Sequence, residues 1–256
     1  MSVQIQEEFK EKKNKVVVKV GMLGDSQIGK TTLMVKYIED KYDEDYIETL
    51  GVNFMEKTIE LKNVNVTISI WDLGGQREFA TLMPLVCSDA KVILFAFDLT
   101  QKQSLFSVKR WYKEARKENK IFMPFLIGTK FDLFDELEDH HKQDITKQAR
   151  KFAKKMRAPL IYCSSAQSIN VKKIFKVIIA KVFDLKPKIK EAHDATKEAL
   201  IEFEANGDDM GDAEDGDDDE DAKKKRKRRK IKKTKRRKRT KTKMEKRKRK
   251  RKRRKI

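Results

Sequence analysis

The sequence predicts an α/β domain built on a six-stranded, mostly parallel sheet with one antiparallel edge strand and helices on both faces. Three observations predict it. From residue 15 to about residue 185, apolar strand-like runs alternate with segments of helical period. All inter-strand connections but one contain such a helical segment, as parallel pairing requires. The exception is Lys62-Asn63, which leaves room for a hairpin and no crossover, so the second and third strands are predicted as an antiparallel pair at a sheet edge.

The first strand, 15–23, is the apolar run ending in Val20-Gly21-Met22-Leu23, and a GxxxxGK[ST] loop follows it directly: Gly24-Asp25-Ser26-Gln27-Ile28-Gly29-Lys30-Thr31. A polyphosphate carries dense negative charge and needs backbone N–H groups that close around it, which Gly24 and Gly29 permit by lacking a Cβ. Lys30 supplies a point charge, Thr31 offers a hydroxyl to Mg²⁺, and the helix over 30–40, which carries Thr32, turns its positive end toward the anion. The loop predicts a bound nucleotide.

A polar stretch, Asp43 to Gly51, leads to the second strand at 51–61; its Thr49 hydroxyl is expected in the Mg²⁺ shell while a γ-phosphate is present. The third strand, 64–71, runs into Asp72-Leu73-Gly74-Gly75-Gln76. A carboxylate at a strand end beside a phosphate loop suits Mg²⁺, through water. Gly75 presents a bare N–H to a γ-phosphate, and Gln76, donor and acceptor at once, suits orienting an attacking water. Spaced some 40 residues after the phosphate loop, DxxGQ gains weight that it lacks alone.

A helix is predicted over 77–88, a strand over 90–98, a helix over 103–118 and a strand over 123–129. At its end Thr129-Lys130-Phe131-Asp132 places a carboxylate where guanine N1–H and 2-amino groups both find an acceptor, and Lys130 a stem to lie over the base plane. Adenine has an acceptor at N1 and no 2-amino group, so it would leave the carboxylate unpaired at a cost of about 1–3 kcal/mol. GTP is therefore selected over ATP. After a helix over 143–156 and a strand over 159–163, Ser164-Ser165-Ala166-Gln167 offers small residues whose backbone N–H groups reach the guanine O6; a last helix covers 170–184. The amphipathic segment 188–205 is expected to extend that helix. His140, His141 and His193 show no partner cluster in the sequence, and no metal is assigned to them.

Charge divides the rest. Residues 207–222 hold 10 Asp or Glu and no base, and residues 223–256 hold 27 Lys or Arg against one Glu. Positions 1–206 then carry 35 basic and 30 acidic residues, so most of the net +21 belongs to the tail. The organisation predicted is an N-terminal extension (1–14), a nucleotide-binding domain (15–187), a helical extension (188–206), an acidic linker (207–222) and a polybasic tail (223–256), the last two disordered for want of apolar residues to bury. The tail is expected to meet polyanions, nucleic acid or anionic lipid, to act as a nuclear import signal, or to fold back on the adjacent acidic block. It has no aromatics for base stacking. The charged start excludes a signal peptide and no apolar run is long enough to span a bilayer, which predicts an intracellular protein. Ser2 and the absence of Cys from the last four residues predict a chain without myristoyl or prenyl anchor. Cys87 and Cys163 read as reduced core thiols.

The phosphate loop, Thr49, DxxGQ, TKxD and SSAQ, in that order, make residues 15–185 resemble a Ras-superfamily small GTPase, a G domain of the P-loop NTPase class. More narrowly, Tyr46 to Phe54, Trp71 to Phe79 (WDLGGQREF), Phe97-Asp98-Leu99-Thr100 and Ser168 to Phe175 resemble the septum-promoting, mitotic-exit GTPases. The resemblance implies a monomeric GTP/GDP switch with slow GTP hydrolysis, an activating protein that supplies an arginine, an exchange factor and an effector protein kinase. It further implies a place in the cytoplasm and at spindle poles, in mitotic exit, septation or cytokinesis. It assigns Lys30 and Gln76 to catalysis and Thr31, Thr49 and Asp72 to Mg²⁺. A vesicle-traffic GTPase, or one made nucleolar by its tail, is the alternative. Three departures stand out: Thr129 in place of Asn, which removes an amide bracing the phosphate loop; Gln167 in place of Lys; and Ser26-Gln27 in place of a Gly pair, expected to slow hydrolysis.

Overall fold

A computed structural model describes residues 14–43, 45, 47–61 and 64–203. The N-terminal extension before Asn14, the Lys62-Asn63 turn, Tyr46, the acidic linker and the polybasic tail lie outside the described residues. Met1–Asn206 forms one unit and Gly207–Ile256 another.

The strands are β1 (Asn14–Leu23), β2 (Val52–Glu60), β3 (Val64–Leu73), β4 (Val92–Asp98), β5 (Met123–Thr129), β6 (Leu160–Tyr162) and β7 (Ile201–Glu202). They form one sheet in the order β2-β3-β1-β4-β5-β6-β7. β3, β1, β4, β5 and β6 are mutually parallel, and β2 runs antiparallel to β3 with Phe54 opposite Trp71. Every residue of β4 is buried, as a central strand covered on both faces must be, whereas the edge strand β2 has no fully buried residue.

Side chains alternate between two cores. Val92 and Leu94 join Leu33, Met34 and Tyr37 of α1 (Lys30–Glu39) and Ile174, Phe175 and Ile178 of α6 (Val171–Val182). Ile93, Phe95 and Phe97 point the other way, onto α3 (Lys102–Glu118) and α5 (Asp139–Met156) through Leu105, Val108, Trp111, Ala149 and Ala153. Tyr37 stacks on Phe175 with centroids 3.6 Å apart, fixing α1 against α6. Cys87 and Cys163 are buried free thiols, and burial pushes both up to about 12, which leaves them unreactive. Among the described residues no helix is long and apolar enough to cross a membrane.

Four expectations change. The helix over 77–88 is a 3-10 helix, Arg77–Leu82, followed by the short α2, Met83–Cys87. Pro84 sits in the first turn of α2, where its missing N–H is harmless; further into a helix it would break one. A short helix not predicted, α4 (Phe131–Asp135), is anchored by buried Phe131 and Phe134. Residues 188–203 contain no helix: they carry β7, so among the described residues the sheet has seven strands. Pro187 precludes continuation of α6, and the outer edge of β6 needs hydrogen-bonding partners more than an exposed helix needs extending. Asp194 closes the turn before β7 by accepting the Thr196 N–H at 3.1 Å and hydroxyl at 2.7 Å. Lastly, His140 and His141 do have a neighbour: their ligand atoms and that of Glu138 all lie within 4.8 Å of one another, exposed at the start of α5.

Candidate functional site

The phosphate loop leaves β1 at the C-terminal end of the sheet, where β3, β4 and β5 also release their loops, and a cavity of about 590 Å³ opens over it. Open parallel sheets place ligands at this end. The cavity wall brings together Ser26, Gln27, Ile28, Gly29, Lys30, Thr31, Thr32, Thr49, Gly75, Gln76 and Lys130.

Close approach explains the glycines. A Cβ on Gly24 would lie 2.5 Å from the Ala96 carbonyl oxygen, and one on Gly75 would lie 2.1 Å from the Ser26 nitrogen. Only a residue without a side chain lets the loop after β3 touch the phosphate loop. Gly29 caps α1 without a side-chain hydrogen bond, so the first-turn N–H groups of that ten-residue helix are available to an anion. Gln27 holds φ 63°, a left-handed conformation that costs a non-glycine residue about 1 kcal/mol. That is the physical content of the Gly-to-Gln departure: the loop keeps its shape and the side chain faces the cavity.

Lys30 is buried and donates to the carbonyls of Gly24 at 3.1 Å and Asp25 at 2.8 Å. Burial lowers its pKa, with Asp72 and Asp25 opposing. Asp25 in turn accepts the Trp111 indole N–H at 2.8 Å and Arg110 at 3.1 Å, tying the loop to α3. The cavity wall contains no arginine among the described residues.

Beneath Lys30, three oxygen-bearing side chains converge. Thr31 Oγ1 lies 2.6 Å from Thr49 Oγ1 and donates to Asp72 Oδ2. Asp72 is fully buried, its other oxygen Oδ1 accepts no hydrogen bond, and burial pushes its pKa up to about 6 against the pull of Lys30 and Thr31. A desolvated carboxylate oxygen beside two hydroxyls is a hard-oxygen donor set of the kind that suits Mg²⁺.

The loop before β2 and the loop after β3 are tied to each other. Gly74 N–H donates to Gly51 O at 2.8 Å, and Gln76 Nε2 donates to Glu48. Among the described residues, nothing donates to the buried Gln76 Oε1.

At the other end, Lys130 sits at φ 58° and its ammonium is held 2.8 Å from the buried Asp98. Asp98, the last residue of β4, stands in the sequence only within the Phe97-Asp98-Leu99-Thr100 resemblance, which gives it no role. Asp132 lies half-buried in the first turn of α4, set by Phe131 N–H on Cys163 O at 3.0 Å. The Ser164–Gln167 turn closes through Gln167 N–H on Ser164 Oγ at 3.0 Å, with Ala166 and Gln167 exposed. Gly24, Asp25, Asp72, Thr129, Asp132, Ser165, Ala166 and Gln167 do not line the cavity, whose wall is drawn mainly from the phosphate loop, the start of α1 and the segment before β2. Lys41, Tyr42, Asp43, Asp45 and Ile47 do line it and were not predicted; a polar stretch before a strand carries no motif to flag them.

Thr129 corrects an expectation. Its hydroxyl is buried 2.5 Å from the Ile28 carbonyl and 3.0 Å from that of Phe97, so it braces the phosphate loop in place of the amide. Thr129→Val keeps the shape and deletes that donor. It is expected to cost about 1–3 kcal/mol of stability, read by denaturant unfolding of the full chain.

Known proteins bear on this geometry. Residues 19–184 match the sequence profile of the Ras family. Septum-promoting GTP-binding protein 1 of Schizosaccharomyces pombe is 56% identical over 192 residues, 74% of this chain and 97% of that protein. Ras-related protein SEC4 of Candida albicans is 30% identical over 161 residues, 62% of this chain and 74% of that protein. GTP-binding protein YPTM1 of Zea mays is 31% identical over 165 residues, 64% of this chain and 77% of that protein. A phosphate loop, a buried carboxylate and a glutamine packed against one another at the end of a parallel sheet are thus carried by a sequence whose relatives share the whole domain, and the chain belongs to the Ras family of GTP-hydrolysing enzymes.

Proposed function

We propose that this GTPase is a Mg²⁺-dependent GTP/GDP switch in septation and mitotic exit, signalling to a protein kinase. The observation that carries the switch is the convergence of Lys30, Thr31, Thr49, Asp72, Gly75 and Gln76 on one cavity from three separate loops. The N–H groups from Asp25 to Thr31 and the Lys30 ammonium hold the β- and γ-phosphates. Lys130 lies along the base, the Asp132 carboxylate accepts its N1–H and 2-amino groups, and Ser165, Ala166 and Gln167 present backbone N–H to O6. Thr31, Thr49 and Asp72 are the residues that would hold Mg²⁺. Bound there, the ion supplies neutralisation of charge on the phosphate oxygens. Gln76 orients the attacking water, and the Gly75 N–H meets the γ-phosphoryl group. Because Gly74 is hydrogen-bonded to Gly51, loss of the γ-phosphate releases both flanking loops together.

Identity of 56% over nearly all of a septum-promoting protein, against 30% to a SEC4, supports septation over vesicle traffic. The cellular place that follows is the cytoplasm and the spindle pole. The 27 bases of the tail support contact with polyanions.

The test is competition calorimetry on the purified full chain with Mg²⁺, joined to single-turnover hydrolysis. GTP and GDP are expected to bind far more tightly than ATP and GTP to be hydrolysed slowly; equal competition by ATP removes the switch reading. Depletion that leaves septum formation on time removes the cell-cycle part. RNA and vesicle binding insensitive to salt removes the tail part.

A further inference from the structure

The sheet does not end at β6. Tyr162 N–H donates to Leu200 O at 2.9 Å, and Ile161 pairs with Ile201 of β7. Ala192 and Ile201 exchange N–H···O bonds of 3.0 and 2.9 Å, so the segment after α6 closes on itself, with Ala192, Ala195, Leu200 and Ile201 buried. Covering a strand edge requires backbone bonds alone. Here side chains add more. Arg150 on α5 grips Glu202 with Nη2 at 2.7 Å and Nε at 3.1 Å from Oε1, and its Nη2 reaches the His193 carbonyl at 2.5 Å. The Glu202 side chain is only 10% exposed.

The second set of contacts runs to the other side. Asn170, buried at the start of α6, donates Nδ2 to Tyr162 O at 2.9 Å and to Ala199 O at 3.3 Å. Its neighbour Ile169 accepts the Ser164 N–H at 3.1 Å. One amide therefore ties the segment after α6 to the end of β6 and to Asn170 itself, the residue just after the turn that contains Ser165, Ala166 and Gln167. That turn needs tying: Ser168 and Asn170 both adopt left-handed conformations, φ 59° and 57°, each costing about 1 kcal/mol or more. Its tip is exposed and has little packing of its own.

We propose that residues 188–203 form a strap that fixes the base-receiving loop through the Asn170 amide, with the Arg150–Glu202 ion pair as the latch that holds the strap on the sheet; the inference rests on the guanine reading of that loop. Asn170 and Glu202 are positioning residues. They act on the base end of the site, so they govern how long any guanine nucleotide stays and leave the phosphate end alone.

The test uses the full chain loaded with nucleotide and Mg²⁺. Release of fluorescent GDP and of a non-hydrolysable GTP analogue is followed for Glu202→Ala, Glu202→Gln and Asn170→Gly, the last chosen because glycine accepts the left-handed backbone. Loss of the bonds each of these side chains makes is expected to speed release of both nucleotides about tenfold. Glu202→Gln, which keeps an acceptor for the guanidinium, falls between. First-order hydrolysis of GTP already bound is expected to keep its wild-type rate. Unchanged release in Asn170→Gly and Glu202→Ala overturns the proposal, as does a parallel change in release and hydrolysis, which marks general loosening. An unsubstituted chain that holds no guanine nucleotide overturns the guanine reading, and the strap's role with it.

Discussion

Asp132→Asn is expected to lower affinity for GDP by roughly 10² to 10⁴-fold and to raise affinity for xanthosine diphosphate. Guanine presents two donors, N1–H and the 2-amino group, to one carboxylate. Each hydrogen bond to a charged acceptor contributes about 1.5–3 kcal/mol, which sets the size of the loss. An amide offers one acceptor and one donor. Xanthine carries N1–H beside a C2 carbonyl, so the same amide pairs with both. The backbone around Asp132 favours a clean exchange. Phe131 and Phe134 pin α4 in the core, Phe131 N–H bonds Cys163 O at 3.0 Å, and Lys130 is held by Asp98. The carboxylate contributes to none of these anchors, so the substitution should leave the fold intact. Displacement of labelled GDP by unlabelled GDP and XDP on the full chain checks it, and unchanged GDP affinity would refute the assignment of Asp132 to the base.

The parts of the site legible in the sequence are those where chemistry is set by neighbours along the chain. The phosphate loop needs glycines at Gly24 and Gly29 for its left-handed backbone and Lys30 directly after the second, and all of these fall within seven residues. The antiparallel edge was legible because a two-residue link permits nothing else. What was not legible depends on contacts between distant segments. β7 exists because β6, some 40 residues earlier, has an open edge; residues 188–203 alone read as amphipathic helix. The brace from Thr129 to Ile28 spans 101 residues, and a hydroxyl short enough to look inadequate reaches because β5 runs close beneath the loop. Asp98 orders Lys130 from another strand. Lys41 to Ile47 line the cavity without a motif, since what places them is the path from α1 to β2.

Gln76→Leu carries the second large effect. Single-turnover hydrolysis of bound GTP is expected to fall by up to about 10²-fold, the scale on which a misplaced reactant loses rate. The further acceleration by an activating partner, on the order of 10³ to 10⁵-fold, is expected to vanish. Two features of the side chain argue for this. Among the described residues its Oε1 accepts no hydrogen bond, which leaves an acceptor for a water, and its Nε2 is steadied by Glu48. Leucine fills a similar volume with neither group. The neighbouring Gly75 and the Gly74–Gly51 bond are backbone features that the substitution does not touch. GTP affinity should therefore hold while its conversion stops, which separates loss of water positioning from loss of binding. A variant that releases GTP faster and hydrolyses the remainder at the normal rate would mean that Gln76 only props the loop, and that the water is placed by another group.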